Sequence, residues 1–425
     1  MYSLLIAVPL LVLLACNLLP FSRLRRACLF FCALLCAAQA LVMALPVYFL
    51  WSASHGPLAP YFKFGLAADA LSRVVLFCIG LVGFAGAITA RYTVSEEERP
   101  YFAGLFLALL AAMNAIAMAR DIFSLYVFIE VSAVSSFVLI SLQKGLPALE
   151  GAFKYIVLSA IASVMMLFAV AIFAPICGST DFAAVNAALK QPPHSWLALF
   201  GTGLFLAGLF IKAGVMPFHE WLPDAYAEAP AAVSVLLAGI VTKAAGVYGL
   251  MRLLVSVLGV SPAVKEALLL AGVISVALAA LAAIGQDDVK RMLAYCSISQ
   301  LGYIILGIGC ATPLGLAAAV FHFFNHAVFK SLLFVNAGCL EMATGERKMH
   351  RLCGLGSRMP VTAATSFFAS FSAAGMPPLA GFWSKLMVVM ALWSCGARAY
   401  ALVAILAGVL TLGYFLILQR DLFFA

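Results

Sequence analysis

Uninterrupted apolar runs of about 20 residues recur from one end of the chain to the other, and each is long enough to cross a hydrocarbon core of roughly 30 Å. The runs are continuous rather than alternating in polarity, so they read as helices and not as barrel strands. Hydrocarbon offers no partner for a backbone N–H or C=O, and a helix satisfies both within one segment. The composition agrees. Of 425 residues 65% are hydrophobic and only 10% charged, whereas a soluble domain carries about 25% charged residues. The expected fold class is therefore all-α integral membrane.

About thirteen spanning helices are predicted. They cover about Tyr2 to Phe21, Ala27 to Trp51, Asp69 to Ala90, Tyr101 to Ala119, Ile122 to Leu142, Gly151 to Pro175 and Trp196 to Val215. The rest cover about Ala231 to Leu254, Ala263 to Ile284, Met292 to Cys310, Leu314 to Met342, Pro360 to Trp393 and Tyr400 to Leu418. Polar stretches with Pro57 and Pro60, and with Pro192 and Pro193, separate some of them. The first apolar run has no small-residue cleavage site and reads as a spanning helix. Residues 1–425 are expected to form a single polytopic membrane domain.

The formal net charge is +8. The basic residues stand in short loops, without the basic patch and interleaved aromatics of a nucleic-acid surface, so no nucleic-acid partner is expected. Loop Lys and Arg report orientation instead. With the N-terminus outside, the inner loops hold Arg23, Arg25, Arg26, Arg91, Arg99, Lys144, Lys154, Lys290, Arg291, Arg347, Lys348, Arg351, Arg358 and Arg420. The outer loops hold Lys63, Arg120, Lys190, Arg252, Lys265 and Arg398, a bias of roughly two to one toward the inside. A multi-pass protein of the cell inner membrane, with its N-terminus on the outer side, is expected. The eleven cysteines are scattered. Cys28, Cys32 and Cys36 lie four apart, but there is no CxxC pair, and a membrane Cys behaves as a small apolar residue. No cofactor and no metal are expected.

A charge near the bilayer centre costs a few kcal/mol or more, so charges left inside helices face protein or a water-filled cavity. Glu130 stands in SLYVFIEVSAVSS, Lys212 in GLFIKAGVMPFHEW and Lys243 in LAGIVTKAAGVYGL. His322, His326 and Lys330 stand in VFHFFNHAVFKSLLF, and Lys385 in GMPPLAGFWSKLMVV. His322, His326 and Lys330 are four apart and share one helical face, about 6 Å from one to the next. A haem or metal reading of the two histidines needs further ligands and an acid behind them, which the sequence does not offer. Buried Lys and His exchange protons readily, because desolvation brings their two protonation states close in energy. Glu130 paired with Lys212 would hold both states within reach of one arriving proton, whereas a static set of ion pairs would not need so many unlike titratable groups.

Two of these helices are broken. Gly214 and Pro217 follow Lys212, and Gly375, Pro377 and Pro378 precede Lys385. Proline removes a donor and clashes with the preceding turn. Paired Gly/Pro interruptions in two halves point to inverted repeats. Two inverted five-helix repeats are expected, over about 101–255 and 263–418, with helices 7 and 12 broken and Lys212 and Lys385 in equivalent places.

The segments HEWLPDAYAEAP, LLAGIVTKAAGVYGLMR, QDDVKRMLAYCSISQLGYIILG, FNHAVFKSLLF and GMPPLAGFWSK resemble the antiporter-like subunits of respiratory complex I, whose relatives include the Mrp cation/proton antiporters and the membrane-bound energy-converting hydrogenases. The resemblance runs in order from about Asp69 to Val389. It implies a Glu130–Lys212 pair, a path continued by Lys243, by His322, His326 and Lys330, and by Lys385. It also implies structural or proton-uptake roles for His219, Asp224 and Glu228. Family members usually have fourteen helices, so about 13–14 are expected, and the missing lateral C-terminal helix points away from the one subunit type that carries it. The implied function is a non-redox, proton-translocating subunit of a redox-driven complex, without independent catalysis. Its expected partners are other membrane subunits, a peripheral redox module and the lipid bilayer. The alternative is a subunit of a multisubunit Mrp-type Na+/H+ antiporter. An inert scaffold would leave the buried charges dispensable, and an intramembrane redox enzyme would show haem or iron absorbance.

Overall fold

Helices occupy every span expected from the sequence in the computed structural model, which describes residues 3–18, 22–45, 66–190 and 196–424. Tyr2, Phe21, the end of the second run at Trp51, the stretch with Pro57, Pro60 and Lys63, and Pro192 and Pro193 lie outside the described residues. The helices are α1 (Leu4–Leu18), α2 (Ser22–Ala44), α3 (Ala70–Thr93), α4 (Arg99–Met118), α5 (Ile122–Ile140), α6 (Leu146–Cys177), α7 (Phe182–Leu189) and α8 (Trp196–Ala213). They continue with α9 (Trp221–Glu228), α10 (Ala231–Leu258), α11 (Pro262–Ile284), α12 (Val289–Gly309), α13 (Pro313–Thr344), α14 (Pro360–Ala374), α15 (Ala380–Ser394) and α16 (Arg398–Gln419). Among the described residues 11 helices are long and apolar enough to span a membrane, and Leu4–Cys16 and Ala380–Ser394 are shorter apolar helices. The sequence reading did not anticipate α7 and α9. At about 1.5 Å per residue neither can cross a bilayer, so neither shows in a search for long apolar runs.

Local chemistry sets the helix ends. The side chains of Asp69, Asp121, Asp181, Ser261, Asp288 and Thr312 accept from first-turn N–H groups of the helices they precede, each cap contributing about 1 kcal/mol. Arg23, Arg25 and Arg26, expected to end the first helix, fall within the backbone of α2. Isolated bridges tie Leu66 to Ala119, Asp121 to Asp181 and Asp288 to Lys348.

Packing divides the chain into two compact units, one of residues 1–212 with 240–259, the other of residues 213–239 with 260–425. In the first, α2 lies directly on α3. A Cβ at Gly80 would fall 2.7 Å from the Ala40 nitrogen, and one at Gly83 would meet the Cys36 sulfur. Cys28, Cys32 and Cys36 are all buried, so this cysteine row is packing surface. Gln39 and Asn114 exchange reciprocal amide hydrogen bonds of 2.8 and 2.9 Å, which satisfies both groups in an otherwise apolar layer. In the second unit α11 and α12 meet backbone to backbone. A Cβ on Gly302 would lie 2.7 Å from the Gly272 carbonyl and 2.8 Å from the Val276 nitrogen. Small residues at such crossings let helices approach where lipid gives no hydrophobic drive.

Both expected breaks are present. After α8, Gly214 takes φ +66, and the Met216 N–H, freed from any helix, donates to Ser275 Oγ at 3.1 Å. After α14, Gly375 takes φ +89. The Gly375 N–H donates to Ser372 O and the Met376 N–H to Phe371 O, which is the Schellman closure of a helix C-terminus. In α10 the winding loosens to i→i+5 over Leu237–Val241 and Lys243–Tyr248. The Leu237 carbonyl accepts from the Tyr226 hydroxyl at 2.9 Å, and such inserted partners commonly open a helix ladder.

Replacing Gly302 by Leu forces α11 and α12 apart and costs about 1–3 kcal/mol or more. Folded, monodisperse protein in detergent should fall sharply. Gly413→Ala, where an added Cβ meets nothing within 4 Å, should extract like the natural chain.

Candidate functional site

The first cluster lies wholly in the first unit. A Cβ on Gly208 would fall 2.9 Å from the Ala162 carbonyl, so only glycine lets α8 approach α6 this closely. One turn further, Lys212 is buried and its ammonium group donates to Glu130 Oε1 at 2.9 Å, Ser159 Oγ at 2.6 Å and Ser163 Oγ at 3.3 Å. An ammonium carries three N–H donors, and here each has an oxygen. Full hydrogen bonding is what allows a charge pair to survive burial. Glu130 is the less enclosed partner, with 28% of its side chain exposed. Ser159 and Ser163 were not foreseen. Their trace in the sequence is a serine pair four apart in an apolar helix, which places both on one face.

Lys243 is fully buried in the loosely wound part of α10. Loosened turns of this kind are frequent at functional positions. Nearer the end of α10, Arg252 is also buried. It grips Asp69 through both nitrogens at 2.6 and 2.9 Å, with Ser72 and the Tyr248 hydroxyl as further partners. The expectation of Arg252 as a loop charge is thus corrected: the Asp69 carboxylate lets it stay inside.

In the second unit His322, His326 and Lys330 share one face of α13, as the spacing predicts, and all are fully buried. The imidazoles of His322 and His326 lie nearly parallel, 13° apart with centroids 6.3 Å apart. His322 Nδ1 is 2.9 Å from Ser384 Oγ. Lys330 donates to the Leu293 carbonyl at 2.8 Å. Gln300 is fully buried on the same face of α12 as Leu293 and Tyr303, and neither end of its amide has a protein partner.

Lys385 completes this set. The closure of α14 consumes the Phe371 and Ser372 carbonyls and leaves those of Ala373 and Ala374 open. Lys385 Nζ reaches back from α15 to donate to them at 2.7 and 3.2 Å. A cation is favoured at a helix C-terminus, where unpaired carbonyls carry the negative end of the dipole. The ammonium also lies 4.6 Å from the Tyr303 ring centroid. A cavity of about 460 Å3 lined by Tyr303, Gly375, Met376, Phe382, Lys385 and Ile405, among others, opens beside it.

His219, Asp224 and Glu228 form a different arrangement. His219 lies in the break after α8, its ring 6.3 Å from Tyr295. Asp224 pairs with Arg291, and Glu228 with Arg347 at 3.2 Å, while Arg347 also reaches Asp288 at 3.2 Å and the Ala227 carbonyl at 2.7 Å. Lys290, expected in a loop, is instead buried in the first turn of α12, bound to Glu341 and to the Ala229 carbonyl, each at 3.0 Å. This ionic clasp fastens α9, α12 and the turn after α13. In that turn the N–H groups of Lys348 and Arg347 and the Arg351 guanidinium hold the Glu346 carboxyl down at about 2. Among the described residues no three His, Cys, Asp or Glu side chains converge as a metal site.

A broken helix with a buried lysine beside each break, inside an all-helical membrane bundle, is a specific combination. The model of the NADH:quinone oxidoreductase/Mrp antiporter transmembrane family matches residues 119–411. The chain belongs to this family. It is 32% identical over 350 residues to a Na(+)/H(+) antiporter subunit of Alkalihalophilus pseudofirmus, covering 82% of this chain and 71% of that protein. It is 32% identical over 353 residues to an NADH-quinone oxidoreductase subunit of Desulforudis audaxviator, covering 82% of this chain and 70% of that one. Among solved structures, a chain of the membrane-bound sulfane sulfur reductase, an archaeal respiratory membrane complex, superposes with TM-score 0.89 and 29% identity, over 100% of this chain and 88% of that one. This chain is therefore a multi-pass membrane protein of the antiporter-like type.

Burial alone would raise the Asp69 carboxyl, but hydrogen bonds from Arg252 and the Ser72 N–H, with the Arg252 charge, hold it well below the usual carboxylate range. A depressed carboxyl stabilises the fold above its ordinary value, and that contribution is lost as pH falls below about 4. Asp69→Asn should remove this acid-side loss and cost about 1–2 kcal/mol at neutral pH, seen as a lower thermal midpoint and a flatter stability profile below about pH 4.

Proposed function

We propose that this subunit translocates protons within a redox-driven membrane complex, through the buried row Glu130, Lys212 and Lys243 in one unit and His322, His326, Lys330 and Lys385 in the other. The observation that carries the reading is the Glu130–Lys212 pair with its two serine oxygens. A proton reaching Glu130 neutralises the carboxylate and releases its hold on Lys212. The ammonium keeps Ser159 and Ser163 as partners and can then pass one proton onward, becoming the neutral amine. The pair is thereby a gate whose two settings differ by one proton. Lys385, held by neutral carbonyls instead of a carboxylate, has no partner charge to stabilise its cationic form and is suited to release. Asp224 and Glu228 are structural in this reading, since both are committed to guanidinium groups, while His219, in the break after α8, is assigned to proton uptake.

Similar proteins include subunits of complexes named for NADH:quinone, F(420)H(2) and sulfane sulfur chemistry. These support partners that are other membrane subunits with a peripheral redox module. The likeness to a Na(+)/H(+) antiporter subunit and to a chain of the Mrp complex from Dietzia sp. favours a second reading, a component of an Mrp-type antiporter exchanging Na+ for H+. Residues 101–255 and 263–418 are proposed as inverted repeats, supported by the two breaks. A position in the cell inner membrane with the N-terminus outside is supported by the excess of basic residues on the opposite side.

Glu130→Gln and Lys212→Ala, made separately in the intact complex, should each cut proton uptake into inverted vesicles at least tenfold, with assembly on a native gel retained. Unchanged uptake in both would make the charges structural and the protein a scaffold. Uptake that follows an imposed Na+ gradient without reductant would select the antiporter reading. For orientation, the exposed Cys353 should react with a membrane-impermeant maleimide in inverted vesicles and not in right-side-out ones, with Cys353→Ser as the blank; the opposite pattern reverses the topology.

A further inference from the structure

We propose that Ser384 is a positioning residue that holds His322 in the Nδ1–H tautomer, so that His322 takes up and releases protons at Nε2 alone. The inference rests on the proton-transfer reading of His322 and adds to it the atom at which transfer occurs. Ser384 Oγ donates to the Gly381 carbonyl at 3.1 Å, and His322 Nδ1 lies 2.9 Å from the same oxygen. A hydroxyl has one proton. With that proton directed at Gly381, the oxygen meets Nδ1 as an acceptor, and Nδ1 must carry the hydrogen. The imidazolium form also carries hydrogen on Nδ1. Ser384 therefore accepts the same hydrogen bond in both charge states, and only Nε2 changes. Both residues are fully buried, which shields the contact from bulk solvent. The ring is further confined by Tyr303, Phe329 and His326, with centroids 5.7, 6.4 and 6.3 Å away, which disfavours a ring flip that would exchange the nitrogens. Partners that fix the tautomer of a working imidazole commonly act this way.

The geometry also ties this residue to the break. Ser384 precedes Lys385 on α15, and Lys385 closes the open carbonyls of α14. One short half-helix therefore places the hydroxyl on His322 and the ammonium on the end of α14. A shift of α15 would move both contacts together.

The test is nitrogen-15 NMR of the histidine-labelled full-length protein in lipid bilayers, with the His322 signal assigned by its loss in His322→Gln. The expected neutral form has a protonated Nδ1 and a bare Nε2. In Ser384→Ala the signal should become a mixture of tautomers or the reverse one. Proton uptake by the assembled complex should fall about tenfold, the scale of removing the partner that orients an imidazole. Ser384→Thr, which keeps the hydroxyl, should restore the Nδ1–H signal and most of the rate. A bare Nδ1 in the natural protein, or an unaltered Nδ1–H signal in Ser384→Ala, overturns the assignment. Normal uptake in His322→Gln would instead remove His322 from the proton route, an outcome the tautomer signal does not share.

Discussion

Inside a bilayer every polar group must find its partner within the protein, and this requirement shapes the chain at each scale. At the scale of the backbone it imposes helices. At the two breaks it recruits side chains: Ser275 takes the stray Met216 N–H, and Lys385 takes the Ala373 and Ala374 carbonyls. At the scale of single charges it explains the close company of Lys212, Arg252 and Lys290, each buried and each given an oxygen set that would otherwise be water.

Two lysines beside two breaks are held by different means. Lys212 has a carboxylate and two hydroxyls, and Lys385 has two carbonyls at the end of a half-helix. The first environment changes strongly when one proton arrives, because the carboxylate can be neutralised. The second is built from fixed dipoles that do not titrate. In the proposed proton route the first is the switch and the second the point of release, without any difference in the lysines themselves. The ionic clasp around Arg347, by contrast, joins carboxylates to guanidinium groups that stay charged at all relevant pH, which suits fastening better than transfer.

Small residues do the placing. Gly208 brings α8 close enough to α6 for Lys212 to reach two serines, and the Gly272–Gly302 contact brings α12 against α11. In α10 the loosened winding accompanies an added bond from the Tyr226 hydroxyl to the Leu237 carbonyl. Each device trades backbone regularity for access to a polar group.

The helices and the buried charges were legible in the sequence because both follow from one local rule, that about 20 apolar residues span and any charge among them is an exception. The face shared by His322, His326 and Lys330 followed from a spacing of four, and the breaks from Gly and Pro. What sequence could not decide was company. Ser159, Ser163 and Ser384 are ordinary residues until a neighbouring helix arrives; a spacing of four puts Ser159 and Ser163 on one face, as it does Ser132 and Ser136, without saying which pair meets a lysine. Arg252 and Lys290 looked like loop charges because they stand near helix ends, and only the positions of Asp69 and Glu341 make their burial tolerable. The short α7 and α9 carry no long apolar signature. The sequence by itself determined which groups could not be left alone; tertiary structure decided which partner each received, because hydrogen bonds act over about 3 Å and the partners lie tens of residues apart along the chain.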